Sequence, residues 1–245
     1  MKTIKNSITL AILFFLISLI SYAQNSIIGT IANWTNGEVP LLFSDYISRE
    51  KITMGNIASD GNMTIPLDAN FLSNLKMAAE KAKENGPKGR EMKFNTIEST
   101  FGSGEEGISY ENAAAVLIGL PDLEASSEDG TTQFGYIYCT SNHELANWLY
   151  NYGQGDIAKG YYLRWFFAED RAVVKGSFSI PVYTGNDDEN YTDTTFYDIE
   201  LQKGWNVVKY NITETFTTKT GKTVLAKMEV TKIDEIPADV MWLVL

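Results

Sequence analysis

His143 and Cys139 are the only histidine and the only cysteine of the chain, and they limit the chemistry it can perform. One imidazole cannot form a histidine metal cluster, and a Ser-His-Asp or Cys-His arrangement would have to use His143. On a continuous helix the spacing of the two residues would place both on one face, as a nucleophile and its base. However, TQFGYIYCT indicates a strand, and Ser141-Asn142 indicates a helix start. The sequence therefore favours an inert cysteine, buried or at the junction, and a surface or capping histidine over a catalytic pair.

Acidic side chains are the second source of chemistry. Asp187, Asp188 and Glu189 cluster in GNDDENYTD, where their oxygens could bind a calcium ion. The spacing of an EF-hand calcium loop is absent, so a solvated hairpin loop and a weak calcium site both stay open, and no other cofactor is expected. Glycoside hydrolysis by two carboxylates is compatible with this composition, but no spacing selects a pair.

Aromatic side chains are the third source. Trp148, Tyr150 and Tyr152 lie in NWLYNYGQG, where polar residues and glycines interrupt the rings. Aromatic rings at the edge of a wet groove can stack on sugar faces, and the polar tips of the rings suit such a place. The sequence predicts a ligand-binding site at these three residues, and a place for the rings in the hydrophobic core stays open as the alternative.

The stretch from Tyr161 to Phe167 is aromatic for a different reason. In an extended strand, one face would carry Tyr161, Leu163, Trp165 and Phe167, and the other would carry Tyr162, Arg164 and Phe166. Both faces are largely apolar, which is typical of a strand between two layers. We expect most of these rings to belong to a core.

The beginning of the chain predicts its location. Lys2 and Lys5 precede an apolar run from Ile8 to Ile20 and a small-x-small site that ends at Ala23. This order predicts a signal peptide over residues 1–23, and hence a secreted, periplasmic or cell-surface protein. No later apolar segment reaches the roughly 20 residues of a spanning helix, so no membrane span is expected after cleavage.

The charge of the chain excludes one class of partner. The sequence has 20 basic and 31 acidic residues, a net charge of −11. Such a surface repels polyanions, so nucleic acid is not an expected partner. With a single cysteine no internal disulfide can form, and the fold has to be stabilised by a packed core.

Short apolar runs separated by turn residues indicate strands in the first part of the chain. Asn36-Gly37 and Asp60-Gly61 supply the turns. The order G-T-I, then P-L-L-F, then D-G before the last strand resembles carboxypeptidase regulatory-like, transthyretin-type units over residues 27–67. The resemblance implies a β-sandwich unit and no activity.

The rest of the chain indicates one helix and further strands. Apolar residues at three- and four-residue steps predict an amphipathic helix at about residues 69–84, with Asp68 as its N-cap. Glycines mark residues 85–112 as a loop or linker, with a strand in KFNTIESTF. Hairpins are predicted around Glu169-Asp170-Arg171, Gln202-Lys203-Gly204 and Lys219-Thr220-Gly221. Residues 162–206 also resemble uncharacterised secreted bacterial proteins, which implies no activity.

These patterns together predict a mainly β protein, an antiparallel sandwich with one inserted helix. Residues 24–84 form an N-terminal β unit with the helix, and residues 113–245 form a sandwich domain that packs with it or stands apart. The leading function is a secreted, non-catalytic binding module for a glycan or a cell-surface protein. The alternatives are a carboxylate-dependent hydrolase of glycan or peptidoglycan, and a structural subunit that assembles by strand pairing.

Overall fold

A computed structural model describes residues 25–44, 51–85, 93–102, 106–185 and 189–245. Within these ranges the chain forms 14 strands of one large sheet. The strands are β1 (Ser26–Thr30), β2 (Val39–Ser44), β3 (Lys51–Ile57), β4 (Asn62–Pro66), β5 (Ile108–Glu111), β6 (Leu117–Gly119), β7 (Glu124–Ser126), β8 (Gln133–Thr140), β9 (Gly160–Ala168), β10 (Ala172–Tyr183), β11 (Asn190–Leu201), β12 (Gly204–Thr217), β13 (Thr223–Ile233) and β14 (Met241–Val244). The helices are α1 (Phe71–Asn85), α2 (Ile97–Thr100) and α3 (His143–Tyr150).

The sheet is mixed, whereas the sequence predicted an antiparallel one. Its main path runs β1-β4-β3-β2-β7-β8-β9-β12-β13-β11-β10-β5, while β14 pairs with β8 and β6 pairs with β9. β11 and β13 are parallel. The reason is that β13 folds back on β12 and takes the edge that β11 would otherwise use. β11 then pairs with the far edge of β13, and both strands run opposite to β12.

Two of the three predicted hairpins are wrong. Glu169-Asp170-Arg171 does connect β9 to β10, but β9 pairs with β12 and β6, and β10 pairs with β11 and β5. Gln202-Lys203-Gly204 likewise connects β11 to β12, which β13 separates in the sheet. The hairpin at Lys219-Thr220-Gly221 is confirmed, because it joins β12 to β13.

The helices agree with the sequence-based prediction more closely than the hairpins do. α1 confirms the predicted amphipathic helix, but it begins at Phe71. Asp68 lies before its first turn, where the carboxylate accepts hydrogen bonds from the Asn70 backbone and the Asn74 side chain at 2.8 and 2.9 Å. α3 confirms the helix start that Ser141-Asn142 indicated, because Asn142 caps its N-terminus.

Residues 85–112 contain more structure than the predicted linker. KFNTIESTF does not form the predicted strand, because Thr96 caps the N-terminus of α2 with a capping box. Ile97 and Phe101 are fully buried in a core with β10–β13 side chains, and β5 pairs with β10. Ile97 and Phe101 therefore pack against the sheet, and β5 extends it.

The odd-numbered residues of β9 are buried, whereas Tyr162, Arg164 and Phe166 on the other face are only half-buried, so the prediction of a strand covered on both faces is met in part. Leu163, Trp165 and Phe167 are all less than a tenth exposed. Leu163 and Trp165 belong to a core that also contains Ile27, Leu41 and Ile65 of the N-terminal strands. The first four strands and the C-terminal part of the chain thus share one hydrophobic core.

Asp193 on β11 yields a prediction about stability and pH. Its Oδ1 atom is buried, and no side chain or backbone group in the described ranges donates a hydrogen bond to it. Burial raises the pKa of this carboxyl above its ordinary value of 3.8. The ionised form therefore costs stability at neutral pH, and this cost vanishes as the pH falls below 3.8.

Asp193→Asn is accordingly expected to increase the free energy of unfolding at neutral pH and to have little effect in acid below the unfolded-state pKa. Urea unfolding of both proteins at the two pH values tests this. A variant that is less stable than the parent at neutral pH would contradict it.

Candidate functional site

A break in the sheet lies between β8 and β9. These neighbours share one ladder pair, Thr140 with Tyr162, and then diverge. The connection between β6 and β7, residues 120–123, crosses the break. Its Leu120 N–H donates to the Trp165 carbonyl at 2.8 Å, and its Leu123 carbonyl accepts from the Ile137 N–H at 3.0 Å. The two strands are therefore bridged by a loop that brings Asp122 between them.

A groove of about 660 Å³ lies at this break. Strands, loop and helix α3 all contribute to it. The lining residues are Leu42, Phe43, Ser44, Asp122, Glu124, Tyr136, Tyr138, Trp148, Leu149, Tyr152, Gly153, Tyr162 and Arg164. Aromatic rings and a few charged groups thus converge on one concave surface, as in many ligand sites.

Helix α3 carries the aromatic rim of the groove. The Asn142 side chain caps the helix by accepting from the Leu145 N–H at 2.9 Å. Leu145 is buried in a small core with Trp148, which sets the helix against the sheet. After the helix, a left-handed Gly153 passes close to Trp148, and a Cβ there would lie 3.4 Å from the indole. The backbone at Gly153 therefore lies close to the Trp148 ring.

The structure brings together the three residues predicted to bind a ligand. Trp148 and Tyr152 both line the groove. Tyr150 does not line it, but its ring packs edge-on against Tyr138, a lining residue, at 6.5 Å between centroids. Two of the three predicted residues thus line the groove, and the third contacts a lining residue.

Tyr152 has an unfavourable conformation. Its φ is 54°, in the left-handed region, and its side chain is 93% exposed. In the described part of the chain, the other non-glycine residues with positive φ are Asn33 and Asn112, a residue type that tolerates this region. A left-handed tyrosine costs roughly 1–2 kcal/mol, and its ring gains almost nothing from burial. Tyr152 and Gly153 end helix α3 in a Schellman motif, because the Tyr152 N–H donates to the Leu149 carbonyl at 3.0 Å and the Gly153 N–H donates to the Trp148 carbonyl at 2.9 Å. The end of the helix thus presents the Tyr152 ring to solvent.

The charged side chains that line the groove all take part in ion pairs within the described residues. Arg164 Nη1 donates to Asp122 Oδ1 at 2.6 Å, and Lys51 Nζ donates to Glu124 Oε1 at 3.1 Å. Burial alone would lower the pKa of Arg164, but the charge and the hydrogen bond of Asp122 outweigh it and raise that pKa. The guanidinium is therefore permanently charged and already paired.

Two tyrosines of the lining stay neutral. Burial, followed by the charge of Asp122, raises the pKa of Tyr138 to about 12. Burial also raises the pKa of Tyr162 to about 12. The Tyr162 ring is stacked on Tyr210 at 4.8 Å, which fixes its position. Both phenols keep their protons at neutral pH, so each can donate or accept a hydrogen bond.

The predicted calcium site falls partly outside the described residues, which omit Asp187 and Asp188. Glu189 is buried, and both of its oxygens accept hydrogen bonds. Oε1 accepts from the Lys219 N–H at 2.6 Å, and Oε2 accepts from the Thr184 hydroxyl at 2.8 Å. Glu189 thus joins the β10–β11 loop to the β12–β13 turn. Among the residues that the structure describes, no group of three or more side chains could hold a metal ion.

Cys139 and His143 lie on different elements, as the strand and helix signals indicated. Cys139 is buried on β8 opposite Trp242, and burial raises the pKa of its thiol far above the ordinary value. His143 is exposed at the first position of α3. A buried neutral thiol is a poor nucleophile.

Arg164 and Asp122 are among the groove residues that sequence reasoning did not assign to a site. Arg164 alternates with buried residues on β9, and this one charged residue in an aromatic strand was the available signal. Asp122 lies 42 residues away in a loop without a motif, and nothing in the sequence pairs it with Arg164.

The fold and this groove define a mainly β protein with an aromatic cleft at a break in its sheet. The chain matches no family model, no curated protein and no solved structure. No helix among the described residues is long and apolar enough to cross a membrane.

Proposed function

We propose that this protein is a non-catalytic binding module that holds a neutral glycan in the groove. The observation that carries the proposal is the exposed, left-handed Tyr152 beside Trp148 on a groove of about 660 Å³. The end of helix α3 holds this ring in solvent next to Trp148, where both rings can contact a ligand.

The chemistry of the groove suits a sugar. Flat faces of Trp148 and Tyr152 can pack against the C–H face of a pyranose ring. The neutral phenols of Tyr138 and Tyr162 can exchange hydrogen bonds with hydroxyl groups. The groove volume lies within the range of about 300–1,000 Å³ that is usual for ligand sites, so it suits a short oligosaccharide.

The ion pairs favour binding over hydrolysis. Asp122 and Glu124 are the carboxylates of the groove lining as the structure describes it, and each is paired with a cation. Both carboxylates are therefore already engaged with the protein's own side chains. A glycosidase needs two carboxyl groups that are free to act on the glycosidic bond.

The location and the architecture are part of the same proposal. The signal-peptide pattern of residues 1–23 supports a secreted, periplasmic or cell-surface protein, where glycans are abundant. The core shared by β1–β4 and β8–β9 supports a sandwich-like arrangement of the two parts of the sheet. The antiparallel order of β1–β4 is also compatible with the transthyretin-type resemblance.

Titration calorimetry with neutral oligosaccharides tests the function. Suitable probes are cellohexaose, laminarihexaose, xylohexaose and mannohexaose. We expect saturable binding of at least one of them, because these probes present different stacking faces to the same rings. If none of them binds at millimolar concentration, the proposal is wrong.

A further inference from the structure

We propose that Asp122 determines the specificity of the groove by neutralising Arg164, so that the groove accepts neutral glycans and rejects uronic acids. This inference rests on the proposed glycan-binding function. It concerns the charge of the ligand, which the aromatic rings alone do not select.

Arg164 is the cationic side chain of the groove lining within the described ranges. An unpaired arginine there would attract carboxylates, since its guanidinium matches a carboxylate in charge and geometry. Asp122 already occupies that position, with 2.6 Å between Oδ1 and Nη1. The protein's own carboxylate thus stands where the carboxylate of a uronic acid would bind.

The pair faces the groove and is held in place from both sides. The Arg164 and Asp122 side chains are 38% and 61% exposed, so a ligand can reach them. Asp122 is positioned by the backbone hydrogen bonds that tie residues 120–123 to Trp165 and Ile137. The backbone of this loop therefore holds Asp122 next to Arg164.

The remaining charges act in the same direction. Glu124 is paired with Lys51, so this lysine does not add a free positive charge to the groove. The lining carries two carboxylates and one guanidinium, and the whole chain has a net charge of −11. An anionic sugar would be repelled. A neutral hydroxyl can instead accept from a remaining Arg164 N–H and donate to an Asp122 oxygen.

Asp122→Asn tests this inference, because it removes the charge at nearly constant size and leaves Arg164 free. The probes are the neutral oligosaccharides named above and oligogalacturonate, measured by titration calorimetry. The parent protein is expected to bind oligogalacturonate at least about tenfold more weakly than its best neutral probe. Asp122→Asn is expected to gain about tenfold in affinity for oligogalacturonate. A hydrogen bond to a charged group usually changes an affinity by about this factor.

The double variant Asp122→Asn, Arg164→Gln is the matched control and should lose this gain. Thermal melts confirm that each variant is folded. An Asp122→Asn protein without a gain, or a parent that prefers oligogalacturonate, overturns the specificity inference and leaves glycan binding intact. Absence of binding to every probe by the parent overturns the proposed function itself.

Discussion

Trp165→Ala is expected to lower the free energy of unfolding by about 3–5 kcal/mol, as large-to-small substitutions of buried aromatic residues do. Trp165 is 5% exposed, and its ring stacks on Trp242 at 5.6 Å. Both residues belong to the core that β9 shares with the N-terminal strands. The cavity would therefore open where the two parts of the sheet meet. Urea unfolding followed by circular dichroism measures the loss.

Trp165→Phe separates packing from hydrogen bonding. The Trp165 Nε1 atom is buried without an acceptor in the described part of the protein, so phenylalanine removes no hydrogen bond there. We expect this variant to lose less than Trp165→Ala, since it retains an aromatic ring. Equal destabilisation by the two variants, or a fully stable Trp165→Ala protein, would show that this core is misassigned.

Tyr152→Gly is expected to change stability and binding in opposite directions. Glycine adopts φ near 54° without the steric cost of a Cβ, so the free energy of unfolding should rise by up to about 1 kcal/mol. Loss of the exposed ring should weaken binding of the best neutral oligosaccharide by about tenfold or more. Thermal melts and titration calorimetry on the same preparation measure both effects.

Two control variants separate the backbone from the ring. Tyr152→Ala keeps the Cβ and hence the strain, so it should lose affinity without gaining stability. Tyr183→Ala removes another exposed tyrosine, which lies on β10 and does not line the groove, and it should bind normally. Undiminished binding by Tyr152→Gly would refute the role of this ring.

Local signals predicted the elements well because they depend on neighbouring residues. The aromatic strand β9 and the Asn142 cap of α3 are examples, and the structure confirms both. Strand pairing was predicted poorly because a turn signal does not specify which strands pair. Gln202-Lys203-Gly204 and Lys219-Thr220-Gly221 are similar turns, yet only the second joins paired strands. The choice depends on where β13 inserts, and that is a long-range event.

The residues of the candidate site also differ in how far the sequence predicts them. Trp148 and Tyr152 were predictable because polar residues and glycines interrupt a local aromatic run. The Asp122–Arg164 pair was not, because it exists only where β8 and β9 diverge and the connection between β6 and β7 crosses the break. The rings of the groove can thus be found in the sequence, whereas its charge arrangement requires the fold.

A crystal structure of the protein with its best neutral oligosaccharide shows whether the groove is the binding site. We expect a sugar ring stacked on Trp148 or Tyr152, with hydroxyl groups bonded to Tyr138, Tyr162 or the Asp122–Arg164 pair. A sugar bound elsewhere on the protein, with the groove empty, would contradict it.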